Sequence, residues 1–382
     1  MIGALQTASA SRRPGPLALA ALLAILLAGL PAAPAQALML GIHAERDGDG
    51  LLSEAEVLRM RQAGTRTLRV PFEWEVVQRD QDGPLDFDRY DKLMTWASEG
   101  TLPRVRILPT LLGSPGFVEK SEFNAQPPVT VADLERWRVF VASAVARYGR
   151  TGTFWTQTSG VQFNPMVDWQ VWNEPNLRTF WTHGKPRPTE YAAFLDLTNQ
   201  AIKSVDPAAR TVLAGMPQSR ITPRPMTTFL TKLYKVPGFR HDFDVIAVHT
   251  YIPLEDRTGL EEAVGQVRAV ADENGDEAKT IYVTELGAAS AGPVSPFTTD
   301  QKGQRKALVR LFGSVREFAS RLKVRRAYWY SWRDGDFTPP GFPSNDRWQT
   351  YAGLFKKNGV PKSAWSAFAQ LNGGDPGTDP LP

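Results

Sequence analysis

Val167-Asp-Trp-Gln-Val-Trp-Asn-Glu-Pro-Asn176 is a short β-rich run that stops on a carboxylate followed by proline. Proline cannot donate to a sheet ladder, so the strand must end there. Seven similar runs lie around it: Leu38–His43, Thr67–Val70, Val105–Leu108, Thr211–Ala214, Val245–His249, Ile281–Thr284 and Ala327–Trp332. Stretches of helical spacing separate them. Ser53-Glu-Ala-Glu56 has the pattern of a capping box. Val131–Tyr148, Tyr191–Val205, Leu260–Ala271 and Gln304–Leu322 carry apolar residues at three- and four-residue intervals. Strands alternating with helices predict βαβ units and a parallel sheet, and eight units predict a single closed (β/α)8 TIM barrel of the α/β class. No Gly-x-Gly-x-x-Gly follows the first run, which argues against a dinucleotide fold.

In such barrels chemistry sits where the strands end. Strand 4 ends in Glu174 and strand 7 in Glu285. Strands 4 and 7 are three apart around the ring, so these acids face each other across the mouth. Two carboxylates ~5–5.5 Å apart suit a retaining glycosidase, one as nucleophile and one as acid/base. The plainer alternative is a pair of solvated helix-cap acids.

With these residues in register, the chain resembles glycoside hydrolase clan A. Asn173-Glu-Pro after strand 4 and Glu285 after strand 7 carry the resemblance, with Arg69 on strand 2, His249 and Tyr251 after strand 6, and Trp332 at the end of strand 8. Asn173–Trp181 and Gly353–Trp365 are similar to family 39 and its relatives, and a family 5-like enzyme is the other reading. No stretch after the barrel reads as a β-sandwich or carbohydrate-binding module, unlike many family 39 members. The resemblance implies Glu174 as acid/base and Glu285 as nucleophile. It implies that Asn173 holds the sugar 2-hydroxyl, that Arg69 and Tyr251 support the charge of Glu285, and that Trp332 floors the sugar subsite. It makes His249 a substrate-binding or supporting residue. Glu174 must hold its proton, and the neighbouring acid and partial burial are the expected causes.

His43 ends strand 1 and is either a sugar contact or a framework histidine. Trp74 and Trp181 are candidate outer-subsite aromatics, with core packing as the alternative. Trp169, Trp329 and Trp365 read as packing residues. Glu45-Arg-Asp-Gly-Asp-Gly-Leu-Leu-Ser-Glu-Ala-Glu56 is similar to a calcium loop, with Glu45, Asp47, Asp49 and Glu56 as ligands. The competing reading is a Gly-rich turn leading into a helix cap. No cofactor is expected beyond that structural calcium.

Composition bounds the rest. Among 382 residues there is no cysteine, which excludes disulfides, thiol nucleophiles and cysteine-ligated metals. Arg12 and Arg13, the apolar run Leu17–Leu30 and Ala35-Gln-Ala37 read as a signal peptide over residues 1–37. An uncleaved anchor is the alternative, but a run of about 14 residues is short for a bilayer. The formal charge of +4 includes those two arginines, so the exported chain would carry +2. No block of like charge marks a nucleic-acid face. The expectation is a secreted or periplasmic monomer with a catalytic barrel over 38–372 and a disordered tail over 373–382. It would act on β-linked poly- or oligosaccharides. The rivals are an exo-acting β-xylosidase- or β-glucosidase-like enzyme, a non-catalytic carbohydrate-binding barrel, and a metal-dependent barrel hydrolase.

Overall fold

The computed structural model describes residue 3 and residues 37–44, 52–118, 126–181, 187–335 and 347–381. Eight parallel strands among them close into a barrel in sequence order. They are β1 (Met39–His43), β2 (Thr67–Glu73), β3 (Arg106–Leu112), β4 (Asp168–Val171), β5 (Arg210–Val212), β6 (Val245–His249), β7 (Thr280–Leu286) and β8 (Val324–Tyr330). Each run read from the sequence coincides with one strand. The predicted helices appear at Glu54–Gln62, Val131–Tyr148, Pro188–Val205, Gly259–Glu273 and Gln301–Phe318. The helices Asp88–Ser98, Met226–Leu233 and Ser363–Asn372 were not predicted. The capping box at Ser53 and Glu56 is present in full.

Two apolar layers hold the barrel. Most of the core lies between strands and helices, and a smaller cluster of Leu108, Val212, Val245, Ala247, Tyr282 and Tyr328 fills the interior. Gly41 makes room for that filling, because a Cβ there would meet the Thr67 carbonyl at 2.2 Å and the Tyr328 ring at 2.9 Å.

Near the strand starts the interior turns polar. Asp168 is fully buried and accepts from Arg210 Nε at 2.6 Å and from the buried Arg326. Tyr282 accepts from Arg210 at 2.8 Å, and Thr67 pairs with the Tyr328 hydroxyl at 2.8 Å. A buried charge is tolerable only when paired and hydrogen-bonded. Here two guanidinium groups share one carboxylate.

The tail departs from expectation. Residues 373–381 are packed rather than disordered. Asp375 N donates to Gln62 O at 2.9 Å, and Leu381 N donates to Gly359 O at 2.9 Å. Trp365 Nε1 donates to Pro376 O at 2.7 Å, and Leu381 is buried. The Gly- and Pro-rich composition hid this, because its partners are groups elsewhere in the fold. The segment read as a signal peptide lies almost wholly outside the described residues. So do Glu45, Asp47 and Asp49. No described helix is long and apolar enough to cross a membrane.

Replacing Asp168 by Asn would leave Arg326 buried beside a neutral amide. Breaking a buried pair this way costs about 3–5 kcal/mol. Denaturant unfolding of Asp168→Asn should show a loss of that size. A change below about 1 kcal/mol, the range of a surface ion pair, would mean the network does not hold the lower barrel.

Candidate active site

Strand register brings the site together. His43 of β1 is level with Arg69 of β2 and with Tyr330 of β8. On the other side, an irregularity between Val248 and His249 shifts the pairing so that His249 stands opposite Glu285. Such breaks re-aim a side chain. Gly215, just past β5, lets His249 lie where it does, since a Cβ there would come within 2.0 Å of the His249 Nε2.

Arg69 is the hub, at 1% exposure. Its Nη1 donates to Glu285 Oε1 at 2.6 Å and lies 3.0 Å from His43 Nδ1. Its Nε donates to Gln170 Oε1 at 2.7 Å, and its Nη2 donates to Asn173 Oδ1 at 2.8 Å. Asn173 therefore keeps its NH2 for a ligand. Tyr251 donates its hydroxyl proton to Glu285 Oε2.

Glu174 has different surroundings. Its Oε1 lies 2.7 Å from His249 Nδ1, and the side chain keeps 13% exposure. Burial pushes its pKa up from 4.5 to about 7, while the nearby Arg69 charge opposes the rise. Of the two causes expected from the sequence, partial burial and the neighbouring acid, burial is the one that raises it. His249 is fully buried, and burial pushes its pKa down to about 3, with the charge of Glu285 opposing and that of Arg69 assisting. The imidazole is neutral at working pH. Its Nε2 lies 3.3 Å from Glu285 Oε1, out of line for a hydrogen bond.

The backbone is strained at the same place. Trp172 has φ 71° and Glu174 φ 43°. Side chains of this size rarely enter the left-handed region, and such residues collect at functional sites. The strain is held by Trp172 N on Leu111 O at 2.9 Å, by Glu174 N on Gly215 O at 3.0 Å, and by the Trp172 indole on Phe180 O at 2.9 Å.

One oxygen each of Glu174 and Glu285 and one nitrogen of His249 lie within 4.8 Å of one another. Three such groups could in principle ligate a metal. The donor set fits one poorly, because the Arg69 guanidinium stands where a cation would meet Glu285 and Glu174 already engages His249 Nδ1.

Several expected residues lie elsewhere. Trp332 is 3% exposed and packs against Phe355 and Trp365 between barrel and helices. Its indole donates to Glu56 Oε1 at 2.8 Å. The inward alternation of β8 runs Arg326, Tyr328, Tyr330, so the mouth aromatic is Tyr330. Its ring is stacked on His43 at 5.5 Å and stands edge-on to Tyr251 at 6.0 Å. Trp74 and Trp181 are core residues, not cleft aromatics. Trp74 packs on Trp137 and Phe140, and Trp181 packs on Trp172, Tyr191 and Phe194. His43 is buried, and burial with the Arg69 charge lowers its pKa well below the ordinary value, so it serves as framework. Glu56, the fourth calcium candidate, is taken by donors from Ser53, Trp332 and Arg333. Sequence reasoning missed Gln170, Gly215 and Tyr330. Gln170 had a signal, as a polar residue alternating with apolar ones along β4.

A closed parallel eight-stranded barrel with two facing strand-end glutamates is the architecture of glycoside hydrolase barrels. Among solved structures, the chain is similar to a monomeric β-xylosidase from Caulobacter crescentus, with TM-score 0.63 and 19% identity, covering 88% of this chain and 68% of that one. It is similar to a family 39 glycoside hydrolase from Bacteroides cellulosilyticus, with TM-score 0.61 and 16% identity, covering 88% of this chain and 64% of that one. It is also similar to a glucosidase from Croceicoccus marinus, with TM-score 0.62 and 15% identity, covering 91% of this chain and 69% of that one. At these identities the likeness establishes the fold. A curated β-xylosidase from Geobacillus stearothermophilus is 31% identical over 84 residues, which span 22% of this chain and 14% of that protein. No family model matches the sequence.

The raised pKa of Glu174 makes a stability prediction. The folded state binds this proton more tightly than the unfolded state does. The resulting stabilisation is full below about pH 4.5 and is lost as the pH rises through about 7. Glu174→Gln removes the titration. Relative to the wild type, the variant should gain up to about 3 kcal/mol on going from about pH 4 to about pH 8. Unfolding curves at the two pH values that keep a constant difference would contradict the assignment.

Proposed function

We propose that this chain is a retaining β-glycosidase that uses Glu174 as acid/base and Glu285 as nucleophile. The observation that carries the reading is the spacing, with carboxylate oxygens of the two residues within 4.8 Å of each other. Retaining enzymes hold their carboxyl groups about 5–5.5 Å apart, whereas inverting ones leave about 6.5–9.5 Å for a water.

The mechanism follows from the environments. Protonated Glu174 gives its proton to the glycosidic oxygen as the bond to the leaving group breaks. Glu285 Oε attacks the anomeric carbon, and a covalent glycosyl-enzyme forms. The Asn173 amide is placed for the sugar 2-hydroxyl, a contact that strengthens as the ring gains oxocarbenium character. When Glu285 becomes an ester, its negative charge is gone. Glu174, now a carboxylate, takes a proton from water, and the resulting hydroxide equivalent attacks the same carbon. Glu285 leaves, and both residues return to their starting states. His249, neutral and buried, positions Glu174 without competing for the proton.

The proteins it resembles are named β-xylosidase, glucosidase and family 39 glycoside hydrolase, so β-xylosides and β-glucosides are the first substrates to try. We further propose that residues 1–37 direct export and are removed, and that the barrel acts as a monomer on a soluble or polymeric glycan.

Glu285→Gln should lower kcat on an aryl β-glycoside by at least about 10³-fold, as loss of a covalent nucleophile does. Glu174→Gln should slow poor leaving groups by about 10²–10⁴-fold and activated aryl groups far less, because only the former need the proton. The wild-type kcat/KM should fall as pH rises through about 7, where Glu174 loses its proton. A 2-fluoroglycoside should label Glu285, read by mass spectrometry. Labelling elsewhere, or glycan binding without turnover in the wild type, would sink the reading.

A further inference from the structure

A cavity of about 430 Å³ is lined by residues that follow β7 and β8, and neither Glu174 nor Glu285 lines it. Ser290, Asp334, Tyr351, Lys356, Lys357 and Lys362 are among its lining residues. The ammonium groups of Lys356 and Lys362 thus share the cavity wall with the Asp334 carboxylate. Lys362 is 2% exposed. Its Nζ donates to Asp334 Oδ1 at 2.6 Å, to Ser290 Oγ at 2.8 Å and to Tyr351 O at 3.1 Å. That uses all three of its protons. Lys356 has no side-chain partner among the described residues, yet its charge is felt by both Asp334 and Lys362. With Lys362 paired to Asp334, the positive charge of Lys356 is left over in the wall.

The cavity also has an aromatic face. Tyr351 is 37% exposed, and its ring lies so close to Gly292 that a Cβ there would come within 2.4 Å. Gly292 has φ 96° and keeps the backbone beneath the ring. A flat exposed ring beside ammonium groups suits a sugar ring that carries an acid, more than a bare ion.

The cavity is joined to the catalytic centre by one turn of chain. Trp348 and Tyr351 are the two ends of a 3-10 turn. The Trp348 ring is 4.9 Å from that of Tyr251, which holds Glu285. At about 2 Å per residue, the turn spans roughly 6 Å, close to the length of one sugar unit.

We propose that this cavity is a distal subsite for an anionic sugar, in which Tyr351 carries the ring and Lys356 pairs with its carboxylate. The sugar rests on the glycosidase reading above, whereas the preference for an anion does not. The preferred glycan is then one with uronate-type residues near the cleavage point.

Calorimetry tests this by binding alone. The probes are a β-1,4-glucuronate tetramer, cellotetraose as its uncharged counterpart, and sodium sulfate. The wild type should bind the charged tetramer about tenfold more tightly than cellotetraose at low salt. The advantage should shrink in high salt, as the pairing is part-exposed. Lys356→Glu, a reversal at an exposed loop position, should erase the advantage while leaving the thermal midpoint in place. Equal affinity for the two tetramers, or an advantage that survives Lys356→Glu, would overturn the proposal. So would sulfate binding as tightly as the charged tetramer, which would make this a free-anion site. Failure to hydrolyse any β-glycoside would overturn the catalytic reading and leave this binding result standing.

Discussion

Everything at the mouth of this barrel depends on one buried guanidinium. A charge with 1% exposure is costly unless each donor finds an acceptor. Arg69 meets that demand with a carboxylate, two side-chain amides and an imidazole drawn from β1, β7 and the end of β4. The requirement works in both directions. The arginine is held in place by its acceptors, and the acceptors are oriented by its planar fork. Gln170 is wedged between Arg69 and Thr110, which donates to the same Oε1 at 3.0 Å. Asn173 cannot rotate its amide without abandoning Arg69. One cation therefore sets the geometry of Glu285, Asn173 and His43 together.

The two glutamates have different surroundings. Glu285 meets full positive charge 2.6 Å away and a tyrosine hydroxyl on its other oxygen. Glu174 meets a neutral imidazole and loses most of its water, and burial outweighs the opposing charge of Arg69, so its proton is retained to about pH 7. Two identical side chains a few ångströms apart are thus fitted to opposite tasks by what surrounds them. Burial of His249 is part of that division. Were its imidazole readily protonated, it would offer Glu174 a positive neighbour and favour loss of the proton.

Much of this was legible in the sequence, and the reasons for the exceptions are local. The eight strands stood out because each is a short β-rich run bounded by turn residues, and their order then fixed which ends face each other. Glu174 and Glu285 stood out as acids at strand ends, Arg69, Asn173, His249 and Tyr251 came from the resemblance to clan A, and the fold brings the six together. Trp332 was misplaced by two residues. Inward alternation along β8 stops at Tyr330, and the chain then turns Trp332 into the layer beneath the helices. Sequence spacing does not reveal where a strand's alternation ends. Trp74 and Trp181 failed for a related reason, since position after a strand says nothing about whether a loop folds back into the core. The tail was hidden because its stabilising partners, such as Gln62 O and Gly359 O, are remote in sequence.

The two ends of the barrel resolve the same problem in different ways. At the strand starts, Asp168 and its arginines form a closed set of partners, and the interior is plugged. At the strand ends, the site around Arg69 is left open at Asn173 and Glu174, which retain partial exposure. Such an opening is tolerable only where the backbone is held from below. Trp172 supplies that hold, because its left-handed φ turns the chain so that its indole goes into the aromatic core while Asn173 and Glu174 emerge above it. Backbone strain of about 1–3 kcal/mol per residue is small beside the burial of an indole among Trp137, Phe194 and Trp181. The strained step that presents Glu174 at the mouth is therefore sustained by a packing layer beneath it.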